Sequence, residues 1–104
     1  MTKKQFAVIT QWQDETFPVA SVLSKLHHLN DEIAELMQAI ENGESDRAIR
    51  FEFADCFLLL FGAANKSGLT YDDIKNCIDE KMILNRSRKW GAPDANGVVK
   101  HLKT

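Results

Sequence analysis

The sequence predicts an all-α fold, a bundle of four helices within about residues 1–90 of a single 1–104 domain, with 91–104 as a loop-like tail. Three observations carry this. Apolar residues recur at helical spacing in four segments, short breaks of Asn, Gly, Pro and Ser separate those segments, and no stretch alternates as a half-buried strand does. With 104 residues, 44% hydrophobic and 27% charged, there is material for one core of ordinary globular composition.

The first helix opens at Thr2, whose spacing to Gln5 resembles a capping box, and carries Phe6, Ile9 and Trp12 until Phe17-Pro18 interrupts it. The second runs from near Ser21 to Glu41, where Asn42-Gly43 supplies the stop. Val22, Leu26, Leu29, Ile33, Leu36 and Ile40 on it alternate spacings of four and three, which predicts a packing seam against another helix. The third begins at Ser45 or Asp46 and ends at Lys66-Ser67-Gly68, Gly68 being suited to the left-handed closing position. The fourth starts after Thr70, with Asp72 and Asp73 in its first turn and Leu69 set to staple onto Ile74, and continues to about Lys89. The tail GAPDANGVVKHLKT is rich in turn formers.

Charge and composition exclude several classes. A net charge of −2 leaves no basic footprint for a nucleic-acid polymer or an acidic membrane surface. The longest apolar run, Cys56–Ala64, is half a bilayer crossing, and the N-terminus has no signal-peptide shape, so a cytoplasmic location is expected. Cys56 and Cys77 form no CxxC pair and read as buried free thiols. No Glu-x-x-His is present for a ferritin-like di-iron site, and no Gly-rich phosphate cradle exists.

The chemistry concentrates on acids. Arg50–Ala64 is apolar almost all round, as a helix surrounded by other helices is, yet it carries Glu52 and Asp55 three apart on one face. Buried carboxylates need a positive partner, either a Lys or Arg side chain or a metal ion. On the second helix, with Val22 and Ile40 facing the core, Lys25, His28, Glu32, Glu35 and Ala39 form a stripe along the flank. Glu32 and Glu35 alone would read as a solvated flank, and Glu52 with Asp55 alone as half of an ion pair. Four carboxylates from two facing helices instead make an oxygen-rich site for a hard divalent cation, Mg²⁺ or alternatively Mn²⁺. On the fourth helix the inward stripe Ile74, Cys77, Ile78, Lys81, Asn85, Arg88 turns from apolar to basic, placing donors that suit phosphate oxygens. The alternative is that these bases simply neutralise the acids. Trp12 and Trp90 lie near segment ends and read either as packing or as platforms for a base.

Glu32-x-x-Glu35, sixteen residues, then Glu52-x-x-Asp55 resembles the signature of the MazG-like all-α nucleoside triphosphate pyrophosphohydrolases, related to the dimeric dUTPases. WQDETFP, HHLNDEIAEL and KMILNRSRKWGAPDANGVVKH resemble the small phage and bacterial branch described as dATP/dGTP diphosphohydrolase-like, and the similarity spans nearly the whole chain. One departure is a shorter stretch between Pro18 and Ser21. The resemblance implies Mg²⁺-dependent cleavage of a nucleoside triphosphate, a purine dNTP by analogy with the branch, to monophosphate and pyrophosphate, in a homodimer or homotetramer. It implies Glu32, Glu35, Glu52 and Asp55 as metal-holding and catalytic residues, with an outer one such as Glu32 as general base. Lys81, Asn85 and Arg88 would bind phosphates, and Trp12 or Trp90 would stack on the base. Two other readings stand beside it: a non-catalytic helical interaction module with an internal ion network, and a pyrophosphohydrolase for modified or pyrimidine nucleotides.

Overall fold

The computed structural model describes residues 1–103. It holds four helices, α1 (Lys3–Thr16), α2 (Val22–Glu41), α3 (Asp46–Lys66) and α4 (Tyr71–Ser87), and among the described residues no strand beyond an isolated bridge between Trp90 and His101. The chain forms two compact units, Met1–Asp72 and the part from Asp73 onward.

Local signals set the helix ends. Thr2 and Ser45 each accept a hydrogen bond from the backbone N–H three residues on, and Ser21 with Ser24 forms a reciprocal capping box. Gly43 and Gly68 close α2 and α3 with φ of 64° and 101°, a backbone region in which a Cβ would be strained.

Within the first unit α2 lies along α3, and α1 packs more lightly on α3. Phe6 of α1 is buried between the rings of Phe61 and Tyr71, with centroids 6.2 and 5.8 Å away. Two turns further along α1, the Gln13 side chain crosses to α3 and donates to the Leu58 carbonyl at 2.9 Å, lying on the bare backbone of Gly62.

Two expectations about packing are corrected here. The buried residues of α2 are Lys25, Leu36 and Ala39, so its inner face carries the Lys25–His28–Glu32 stripe that the seam had assigned to the flank. Leu26, Ile33 and Ile40 are 38%, 42% and 51% exposed. Likewise α3 is not enclosed: Phe51 and Phe57 are each 57% exposed, and only Gly62 and Ala63 are buried. The physical reason is that α2 and α3 each carry two apolar stripes, and a single chain of this length covers one of them.

Among the described residues of the second unit only Ile74, on α4, is buried, while Cys77 and Ile78 are exposed, which corrects the inward stripe and the burial expected of Cys77. The tail is more ordered than its composition suggests. Asp94 Oδ1 accepts from the backbone N–H of Asn96 and of Val98, both at 2.9 Å, and Gly91 and Leu102 donate to Lys100 and Lys89. The Trp90 indole donates to the Asn85 carbonyl at 3.0 Å and meets the His101 ring edge to face.

Candidate metal centre

The helical spacing of Glu32 on α2 and of Glu52 and Asp55 on α3 turns these carboxylates toward one another where the helices meet. One oxygen from each of the three lies within 4.8 Å of the others. Glu35, one turn beyond Glu32, is exposed and is not one of the three converging acids. Burial raises the Glu32 pKa, as do the hydrogen bond and the charge of Glu35 and the repulsion of Asp55 and Glu52. His28 Nε2 lies 3.2 Å from Glu32 Oε1 on the other side. Among the described residues no Lys or Arg pairs with any of the four acids.

Glu52 Oε2 is sealed from solvent and has no hydrogen-bond donor. A buried carboxylate oxygen in that state is costly. An oxygen-only set of three converging carboxylates, one of them orphaned, fits a hard divalent cation, which would supply the missing positive charge. Cys56, one residue from Asp55, has its thiol pKa pushed up by burial first and then by Glu32, Asp55 and Glu52, which disfavours the thiolate.

The remaining expected residues are placed as follows. Trp12 is half exposed on α1 and meets Phe17 edge to face at 5.6 Å. Lys81 is exposed on α4, Asn85 and Arg88 are half-buried, and Trp90 follows with its indole N–H committed to Asn85. Sequence reasoning passed over one residue of this region, Lys25. It is 5% exposed and, among the described residues, its side chain forms no salt bridge. Its place two turns before Glu32 on one stripe was legible; its burial was not. With Gln13, Phe17, Ala20, Ser24, His28 and Leu59 it lines a cavity of about 140 Å³.

A family model described as dATP/dGTP pyrophosphohydrolase matches residues 3–104. The chain belongs to the dATP/dGTP pyrophosphohydrolase family. Within reach of that family, it is 33% identical over 85 residues, 80% of its length, to a dATP/dGTP diphosphohydrolase of Salmonella phage PMBT28. It spans about a quarter of that relative, the match covering 26% of the phage protein. A solved structure, the MazG-like pyrophosphohydrolase of cyanophage S-2L bound to dGDP and three catalytic Mn²⁺ ions per active site, superposes with a TM-score of 0.78. That match has 29% sequence identity and covers 99% of both chains. The all-α fold is therefore that of a MazG-like pyrophosphohydrolase.

Proposed function

We propose that this chain, acting as one 1–104 domain, hydrolyses a purine deoxynucleoside triphosphate to the monophosphate and pyrophosphate with Mg²⁺ or Mn²⁺. The observation that carries the reading is the convergence of Glu32, Glu52 and Asp55 around an oxygen with no donor of its own. Membership of the dATP/dGTP pyrophosphohydrolase family and the Mn²⁺ and dGDP held by the cyanophage neighbour support it.

Glu32, Glu35, Glu52 and Asp55 hold the cations. When bound, these supply Lewis acidity and countercharge for the triphosphate. Glu32, whose proton affinity is raised, is the carboxylate assigned to take the proton of the attacking water. The water oxygen bonds to a phosphorus flanking the α–β bridge, the bridging P–O bond breaks, and monophosphate and pyrophosphate separate. His28, whose Nε2 lies 3.2 Å from Glu32 Oε1, is the side chain assigned to steady that carboxylate in its orientation. Lys81, Asn85 and Arg88 are the donors assigned to phosphate oxygens, and Trp12 and Trp90 the aromatic faces assigned to the base.

The working form is a homodimer or homotetramer in the cytoplasm. The exposed stripes Leu26–Ile33–Ile40 on α2 and Phe51–Phe57 on α3 support association, since contiguous apolar faces of this kind mark interfaces. No helix among the described residues is long and apolar enough to cross a membrane. Chromatography of products from a panel of dNTPs and NTPs, with Mg²⁺, Mn²⁺ or EDTA, tests the activity. Equal amounts of orthophosphate and nucleoside diphosphate, or turnover unaffected by EDTA, would overturn it. Sedimentation of wild type and Ile33→Glu tests the assembly, which a monomeric wild type would exclude.

A further inference from the structure

The formal charge of −2 is the sum of two opposed parts. Residues 1–80 hold seven Lys or Arg and fourteen Asp or Glu, a charge of −7. Residues 81–104 hold six bases, Lys81, Arg86, Arg88, Lys89, Lys100 and Lys103, against Asp94 alone, a charge of +5. A basic footprint is therefore present after all, confined to one segment and hidden in the total.

The fold of the second unit draws these charges together. Trp90 bridges to His101, Leu102 donates to the Lys89 carbonyl at 2.7 Å, and Gly91 donates to that of Lys100 at 2.9 Å. Segment 100–103 is thus held against segment 88–91. A groove of about 560 Å³ opens there, with Arg88, Lys89, His101 and Lys103 lining it beside Leu84 and Leu102. Among the described residues none of the six bases is in a salt bridge. The one acid of the segment is used locally, since Asp94 Oδ1 accepts from the N–H groups of Asn96 and Val98. Cations gathered without counter-charges create a field that a polyanion relieves. Trp90 adds an aromatic surface. It is 45% exposed, its N–H is fixed on the Asn85 carbonyl, and its ring is braced by His101.

We propose that this basic groove binds single-stranded nucleic acid, its cations following the phosphates and Trp90 presenting a face to a base. A strand fits better than a small phosphate ester because Lys89, Lys100 and Lys103 are exposed and spread over two chain segments rather than converging on one point. A single strand needs only a charged track and a stacking surface, and it offers free base faces that a duplex does not. Arg88 and Trp90 are also assigned to the substrate above; Lys89, Lys100 and Lys103 are not, and they carry the test.

The test is fluorescence anisotropy of a labelled oligothymidylate about 20 nucleotides long and without terminal phosphate, titrated with the full chain in EDTA. Between about 50 and 200 mM NaCl the affinity should fall about 20- to 50-fold, the response of three to four phosphate contacts on a single strand. Lys89→Gln, Lys100→Gln and Lys103→Gln combined should weaken binding at low salt at least about tenfold and reduce the salt response to less than about threefold. Lys3→Gln, Lys4→Gln and Lys66→Gln combined remove the same charge from the first unit and should bind as wild type does. A duplex of equal length should bind more weakly than the strand. Four results would overturn the proposal: no binding at low salt, equal loss in both triple variants, tighter binding of the duplex, or displacement of the strand by pyrophosphate at matched ionic strength. A fifth is dissociation of a self-associated chain by the Lys89, Lys100 and Lys103 changes with strand binding retained, which would assign the groove to a second copy instead.

Discussion

Glu52→Gln separates a metal centre from a structural ion network because its effect changes sign with conditions. In the metal-free protein Glu52 stands within 4.8 Å of Glu32 and Asp55 and lacks any donor. At that separation and an effective dielectric of about 20, each like-charge pair repels by about 3 kcal/mol. Asp55 is exposed, so screening by solvent brings the total relief on neutralising Glu52 to about 1–2 kcal/mol. For a chain of this size that raises the melting temperature by about 5–10 °C in EDTA. With millimolar Mg²⁺ or Mn²⁺ the order should invert. Wild type gains stability as any protein does from a ligand that binds only its folded form, whereas Glu52→Gln, short of one anionic oxygen ligand, gains little. Turnover should fall by more than about 100-fold, the loss expected when a group aimed at the reacting charge is removed. Scanning calorimetry of both proteins in EDTA and in each metal provides the measurement. A variant that melts lower than wild type in EDTA and responds to metal equally would show that Glu52 serves a stabilising network, and the metal-site reasoning would fall.

Other outcomes follow from the same coordinates. Gly62→Ala should lower stability by about 1–3 kcal/mol in urea titrations, because its Cβ would collide with Gln13 Oε1 and dislodge the bond to Leu58; adding Gln13→Ala should recover much of the loss. Metal-free stability should decline with rising pH. The Glu32 pKa is raised above its ordinary 4.5, so the folded state binds the extra proton between the two values. The contribution of Glu32 is therefore complete below pH 4.5 and lost as pH climbs through the folded-state value; melting curves from pH 4 to 8 in EDTA check this, and saturating Mg²⁺ should flatten the slope. A thiol reagent at neutral pH should label the exposed Cys77 quickly and Cys56 slowly, and equal rates would contradict the environment described for Cys56.

The helices and their chemistry were legible because they depend on near neighbours in the chain. Thr2, Ser21, Ser45, Gly43 and Gly68 act within one turn of themselves, and the i,i+3 spacing of Glu32 with Glu35 and of Glu52 with Asp55 guarantees that each pair shares a helix face. That Glu32 meets Glu52 and Asp55 was an expectation from charge, whereas Glu35 stays outside that group of three and is exposed. The rotation of α2 could not be inferred. Leu26, Ile33 and Ile40 form as good an apolar seam as the face that is in fact inside, and only packing against α3 chooses between them. Periodicity locates stripes but does not rank two of similar hydrophobicity.

Lys25 shows the same limit from the other side. On the sequence it is one more solvated lysine, the ordinary condition of that residue. Most of its side chain is withdrawn from water because the corner at Phe17 and Ala20 and the α3 residue Leu59, thirty-four positions away in the chain, close around it. What the chain carries in itself, then, is the set of helices, their ends and an acidic constellation suited to a divalent cation. Which face turns inward, which carboxylate oxygen is left without a donor and which lysine stem is drawn inside are decided by tertiary contact, because burial depends on atoms that are distant in the chain.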